Sequence, residues 1–526
     1  MYLGFDAIGF AGLSEGPEDR LVLGGDSEAQ LDWEVRIYAA THELITRVTD
    51  EPPDQPFLGT LEKAFRLDRS IVGGDRIGEA ITIGLGEVRL TNSEGNYDFL
   101  AVDHTPLGKR VVIKMGDRRQ PYATWKTLLA GFMTDLQIDR DSITFRLRDA
   151  GYQLEVPASP SVYAGTGGTE GGGDLASKRK PRCFGWLNNW TPPLVIPSAL
   201  AFQLNDGPIH QVSKVYVRGV ALDFAADYPD VAAMNAASLA VGEYATCLAA
   251  GWMRVAVAND TELGEVTCDF AGDKAGGVLA QTSADIVRRL ISSATVLVDP
   301  DDLVDTSFDA LNERQPAPIG YGIAAGSDET VSRAVARIMA AIGGWCGAKR
   351  SGKLEVRVFD APAGTSTGSY GRDNIRDVKL APMPSDLSPP PWRVRVGHAR
   401  NWTVQTNLAG SVSEERRAFL EEEMRFAAAE SESIRVDFPP GHELLAADTF
   451  FRDQADAAAE ASRRLALYGT ARALYVLPLA EPLFTHEPGQ VIDVTFPRFD
   501  LASGKLLRIV KLTEDDADGV EITAFG

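Results

Sequence analysis

Cysteine is scarce in this chain of 526 residues: there are four, Cys183, Cys247, Cys268 and Cys346, with no C-x-x-C among them. That pattern excludes a disulfide-stapled scaffold and gives no zinc or iron–sulfur signature; free buried thiols made in a reducing cytosol are expected. Histidine is also sparse. His42, His104, His210, His398, His442 and His486 include no i,i+3 or i,i+4 pair, so the chain has no helical metal motif. Positive charge is outnumbered, with 52 Lys+Arg against 74 Asp+Glu and a formal net charge of −22. Such a surface repels phosphates and anionic membranes, which excludes a protein that grips DNA but not one that surrounds DNA and lets it pass. No apolar run reaches the ~18 residues of a membrane-spanning helix. Met1–Gly12 lacks a basic start and a sustained apolar stretch, so no export leader is expected.

What is present is ordinary apolar content, 44%, spread over a length that suits about three or four domains. Residues 1–156 read as a β-rich barrel domain with an insertion. Strands are expected at Leu21–Leu23, Trp33–Tyr38, Arg110–Met115, Ala130–Ile138 and Ser142–Leu147, the last with Ile143, Phe145 and Leu147 facing inward. Residues 157–264 read as a flexible glycine-rich linker (164–174), a Pro- and Trp-rich stretch (181–197), and strands at 211–220 and within 241–256.

Residues 265–381 read as an α+β domain. Thr282 caps a helix whose apolar face is Ile286, Val287, Leu290 and Ile291; Ser327 caps a second that Gly343-Gly344 stops; Leu354–Phe359 is a strand. Residues 382–469 read as a Pro-rich connector and two helices, one capped at Ser411 and running to about Ser431, the other from Thr449 to Tyr468. Residues 470–526 read as a β-barrel segment with strands at 473–479, 491–496, 506–512 and 520–525. Its last hairpin echoes that at 130–150: apolar strand, acidic turn, alternating strand, then glycine. The expected fold class is therefore a mixed, β-rich multidomain α+β chain, with a small β-barrel or split-barrel domain near each end and α+β domains between.

Three patterns bear on chemistry. Gly347–Lys353 matches most of a phosphate-binding P-loop, but Leu354 stands where the magnesium-binding hydroxyl belongs, and the segment runs from helix to strand instead of strand to helix. Gly364-Thr365-Ser366-Thr367-Gly368 matches a nucleophile elbow without the strand and helix that must flank it. Glu421-Glu422-Glu423 diverge around a helix axis and read as a solvated face, not an acid/base pair. Asn189-Trp190-Thr191 and Asn401-Trp402-Thr403 fit the glycosylation pattern, which has no meaning without export. Trp186, Trp190 and Trp392 could stack on sugars if exposed, although tryptophans are more often buried. No catalytic, cofactor-binding or metal-ligating residue is assigned.

Several segments in order along the chain resemble the tail-tip (baseplate) hub proteins of siphophages. Pro181-Arg182-Cys183-Phe184-Gly185, Asn189 with Thr191-Pro192, Asn205-Asp206-Gly207-Pro208 and Val215-Tyr216-Val217-Arg218-Gly219 resemble their P-x-C-F-G, N-x-T-P, V-x-D-G-P and V-Y-D-R-G pattern. Leu85–Asn92, Gly264–Gly272 and Val396–Thr403 are similar to further parts of the family. Val217 departs from the usual Asp and His398 from the usual Tyr; both read as packing changes.

The resemblance implies a structural protein, not an enzyme, in the virion at the distal end of a long non-contractile tail, made in the host bacterial cytoplasm. It implies a homotrimer below the distal tail protein ring, adapting a sixfold tube to a threefold tip. The trimer would close the channel, hold the tape measure end and the tail fibres or receptor-binding proteins, and let DNA exit without specific binding, with no membrane span. The chain stops without the fibre extension of larger hubs, so direct receptor contact by this chain is not expected. Two other readings stay open: a receptor-binding adhesin, which would bind host cells by itself, and a tail-associated cell-wall hydrolase, which would need a converging acidic pair.

Overall fold

A computed structural model describes residues 8–11, 38–63, 66–73, 76–83, 86–102, 107–117, 119–258, 263–480, 485–515 and 519–526. The strand expected at Leu21–Leu23 and nearly all of Trp33–Tyr38 lie outside the described residues.

The first long hairpin, β1 (Arg66–Gly73) and β2 (Arg76–Ile83), precedes four strands that form a sheet of their own: β3 (Gly86–Thr91), β4 (Arg110–Met115), β5 (Lys126–Ile138) and β6 (Ser142–Arg148). Their order is β4-β5-β6-β3, antiparallel throughout, with Ile8–Ala11 beyond β4 and Leu61–Lys63 beyond β3. The alternation read in β6 holds: Ile143, Phe145 and Leu147 are buried, as a two-residue period on a one-sided sheet requires.

The middle of the chain builds two five-stranded sheets and a helical layer. β7 (Arg182–Trp190) lies between β9 (Val266–Asp273) and β10 (Gly320–Ile323), with β8 (Ile209–Val217) outside β9. The second sheet holds Leu194–Ile196, Ala201–Gln203, Trp252–Val255, Glu243–Cys247 and Asp223–Asp227 in that spatial order. The glycine-rich stretch is not the flexible linker its composition suggests. Glu170 closes it: its carboxylate accepts from Ala164 N (3.0 Å) and Lys180 Nζ (2.8 Å), and its carbonyl accepts from Gly165 N (2.9 Å). Tyr163 and Leu175 at its two ends are buried.

Thr282 caps α1 (Ser283–Ala294) as expected, accepting from Asp285 N at 3.1 Å. α2 (Asp305–Arg314) follows. α3 (Val331–Ala341) is capped by Thr330, whose hydroxyl accepts from Arg333 N (3.3 Å); Ser327 accepts from Glu329 N one turn earlier instead. β11 (Gly344–Ala348) and β12 (Leu354–Val358) form a hairpin after it.

The first of the two late helices is much shorter than expected. α4 (Glu414–Glu421) is capped by Ser413, and Arg425–Glu430 is a strand, β14, paired along its whole length with β13 (Arg393–His398). Met, Ala and Glu favour a helix here, but the open edge of β13 takes six residue pairings and buries Ala427, which outweighs propensities of a few tenths of a kcal/mol per residue. α5 (Gln454–Tyr468) begins later than Thr449 because Thr449 is buried with its hydroxyl donating to Gly397 O.

The last four strands, β15 (Leu474–Pro478), β16 (Val491–Val494), β17 (Lys505–Asp515) and β18 (Gly519–Phe525), order as β16-β17-β18-β15, all antiparallel. Numbered by their place in each set, both end sheets read 2-3-4-1. In both, the third and fourth strands make a hairpin with a bulge, between Arg146 and Leu147 in one and between Ile509 and Lys511 in the other. The two sheets are not separate units. β1 pairs with β17 from Lys511↔Ser70 to Asp515↔Arg66, Ser369–Tyr370 pairs with β16, and Lys379–Ala381 pairs with β15. One apolar core holds Val88, Phe145, Leu477, Ile492, Leu507 and Ile522 together. Strands thus cross the boundaries expected at 156, 381 and 470.

Candidate functional site: the joint between the end sheets

β1 enters the C-terminal sheet carrying an arginine, and the tight turn between β11 and β12 delivers a second. Lys349 O accepts from Gly352 N (2.9 Å) to close that turn, with Gly352 at φ 85°. This is the segment that resembles a P-loop; here it joins two strands, and Arg350 points inward. Arg350 binds Glu514 and donates to Leu128 O (3.2 Å) on β5 and to His486 O (3.0 Å), while its own carbonyl accepts from Ala130 N (2.8 Å). Arg69 binds Glu487 and reaches Glu514 (3.3 Å) and His486 O (2.9 Å). The side chains of Arg69, Arg350, Glu487 and Glu514 are 2, 8, 10 and 0% exposed. Four charges removed from water are tolerable only because two of each sign meet and the arginines have further acceptors. Burial lowers the Arg350 pKa, and Arg69 beside it acts in the same direction.

His486 sits above this cluster. Its Nδ1 faces Gln490 Oε1 at 3.2 Å and Thr367 Oγ1 at 3.4 Å, and its Nε2 contacts the Tyr370 hydroxyl. An amide oxygen only accepts, so Nδ1 carries the proton and Nε2 accepts from tyrosine. Burial holds the imidazole pKa below its usual value and raises that of Tyr370. The nucleophile-elbow pattern ends at this histidine, yet Thr367, not Ser366, reaches it, and Nε2 is already taken.

The other histidines are scattered: His42 is exposed, His210, His398 and His442 are half-buried, and His104 lies outside the described residues. Cys183, Cys247 and Cys268 are buried, Cys346 is half-buried, and all four are free. Among the described residues no three His, Cys, Asp or Glu side chains converge as a metal site. Of the acidic run, Glu422 offers its carbonyl to Asn401 Nδ2 (2.8 Å) and Glu423 binds Arg400. Trp190 is buried; Arg452 covers the Trp186 ring at 3.9 Å and Arg435 the Trp392 ring at 5.1 Å.

The two Asn-Trp-Thr motifs meet, a relationship the sequence reading missed. Asn189 Nδ2 donates to Thr403 O, the Thr191 and Thr403 hydroxyls are 2.9 Å apart, and Trp402 N donates to Asn188 O at 3.1 Å. The Trp190 and Trp402 rings meet edge to face, 5.6 Å between centroids. Both asparagines are buried. The available signal was a shared spelling, G-x-x-x-N-W-T, at Gly185–Thr191 and Gly397–Thr403.

No protein-family model matches the chain, and no curated protein does. Solved structures overlap it loosely. The tail protein from Neisseria meningitidis MC58 is 8% identical, over 89% of this chain and 95% of that one, with a TM-score of 0.38. The 43 kDa tail protein of prophage MuSo2 from Shewanella oneidensis is 10% identical over 90% and 96%, with a TM-score of 0.33. A chain in the virion of a native gene transfer agent particle is 14% identical over 71% and 91%, with a TM-score of 0.41. The chain is similar in outline to these proteins, at a level of superposition that identifies no common fold.

Proposed function

We propose that this chain is a structural hub at the distal tip of a long non-contractile phage tail. The observation that carries the reading is the repeated 2-3-4-1 strand order at the two ends of one chain, joined through one core. A homotrimer of such chains presents six related sheets, so it can seat against a sixfold tail tube while keeping a threefold tip; without the repeat, half of the ring's subunits would face no counterpart. The resemblance of the segments at 181–220, 264–272 and 396–403 to tail-tip hubs points the same way. The charge of −22 suits a conduit: an acidic wall lets DNA leave without binding it. The partners in this reading are the distal tail protein ring, the tape measure protein, and tail fibres or receptor-binding proteins.

Gold-tagged antibody against this chain, imaged on phage particles, tests the location; counting copies per tail tests the symmetry. Gold at the tip and three copies per tail support the hub. Label along the shaft, or six copies, would replace it with a tube or ring component. If intact and opened particles carry no label, the tail reading fails and the purified chain should be assayed for wall hydrolysis.

A further inference from the structure

A cavity of about 320 Å3 lies between one face of α2, β12 and β17. Its walls include Thr306, Arg314, Lys349, Arg357, Asp360 and Arg508. Four cations thus face one carboxylate, in a chain whose overall charge is strongly negative. That carboxylate is committed: Asp360 accepts both arms of the Arg314 fork at 3.0 Å and Arg463 Nη1 at 3.0 Å. Arg357 pairs with Glu355 at 3.0 Å. Arg508 donates only to main-chain carbonyls, those of Asp360 (2.8 Å), Gly489 (2.6 Å) and Ala361 (3.0 Å). Among the described residues, neither Arg508 nor Lys349 has a carboxylate within ion-pair distance. The cavity runs along one face of α2, from Thr306 in its first turn to Arg314 at its end, and Asp305, the acid of that first turn, is paired with Arg288 (2.9 Å).

We infer that this cavity binds a small phosphate-class oxyanion of two or more charges, held by Lys349, Arg357 and Arg508 against the face of α2. A partly desolvated excess of two cations needs an anion of about that charge, and the N–H groups that Arg357 and Arg508 leave uncommitted can donate to its oxygens. The size fits a phosphomonoester or a diphosphate: about 320 Å3 is at the lower end of ligand cavities. Lys349 and Arg350 are neighbours in the turn that resembles a P-loop; Arg350 turns into the joint, and Lys349 lines the cavity.

Isothermal titration of the full chain at low salt tests it, with inorganic phosphate and pyrophosphate as free anions and a short single-stranded DNA oligonucleotide as the polymeric source of the same group. Expected is saturable binding of pyrophosphate, weakened at least about tenfold by Lys349→Ala and by Arg357→Gln. Lys349→Arg should retain it, as should Lys214→Ala, which does not line the cavity. No heat from either free anion, equal affinity in Lys349→Ala, or binding of the oligonucleotide alone would overturn the inference.

Discussion

Arg350 and Glu514, 164 positions apart, form a buried ion pair that ties the turn between β11 and β12 to the last hairpin of the chain. The pair is half of a neutral set of four, so the consequence of a mutation depends on what is left behind. Arg350→Met strands Glu514 with Arg69 as a shared partner, and should cost about 3–5 kcal/mol; Glu514→Gln should cost a similar amount. The double variant leaves Arg69 with Glu487, one charge of each sign, and should be less destabilised than the sum of the singles. Urea unfolding of all four proteins measures this; strict additivity would show that the four groups do not act as a set.

His486 gives the chain an acid-side weakness. Burial is the main cause of its lowered pKa, with Arg350 beside it acting the same way and Gln490, Glu487 and Glu514 opposing. The unfolded imidazole titrates near ~6.5. Between that value and the lower folded one, the unfolded chain binds the proton and the folded chain does not, so stability falls as pH falls through this window. The drop in urea midpoint between about pH 7.5 and 5 should be smaller in His486→Gln. It should not vanish, because burial also lowers the pKa of half-buried His398.

Asp149 runs the other way. It accepts from Gly151 N (3.1 Å), but burial pushes its carboxyl up to about 6. Its charged form is therefore penalised by folding above pH 6, and the penalty fades as pH falls toward the unfolded value of ~3.9. Asp149→Asn keeps an acceptor for Gly151 and removes the charge. It should raise the urea midpoint at about pH 8 and leave it unchanged near pH 4; equal gains at both would show that charge is not the cause.

Asn401 separates shape from hydrogen-bonding direction. Its Nδ2 donates to Phe419 O (2.5 Å) and Glu422 O (2.8 Å). Asn401→Asp conserves size but sets a buried carboxylate against two carbonyl oxygens, so it should destabilise more than Asn401→Ala, by roughly 1–3 kcal/mol. Equal midpoints in urea would mean that the side chain contributes packing alone.

The sequence was most readable where one period governed. β6 and the face of α1 follow from alternation or helical spacing because each packs on one side only. β7 was hidden: Cys183, Phe184 and Leu187 are buried, and Gly185, at φ 61°, lies so close to Ile319 O that no Cβ would fit, so the segment shows neither period. The echo between the two terminal hairpins was legible, but the shared core was not, because the pairing of Ser70 with Lys511 leaves no local trace. The charged set failed in the same way. Nothing local in the sequence sets Arg69, Arg350, Glu487 and Glu514 apart, because only the fold removes water from all four. The Asn-Trp-Thr repeat was visible as spelling, and its meaning as contact depended on β7 and β13 coming side by side.

The reach from Arg69 to Glu514, 445 positions, sets an order of events during synthesis. β1 leaves the ribosome early and must wait, edge open, until β17 has been made and released. A chain interrupted before that point carries an open strand edge and, once past Arg350, two arginines that lack Glu514, which invites aggregation or proteolysis before it can assemble. The joint therefore closes only in a chain that has been made past Asp515, which ties the stability of its early strands to its late ones.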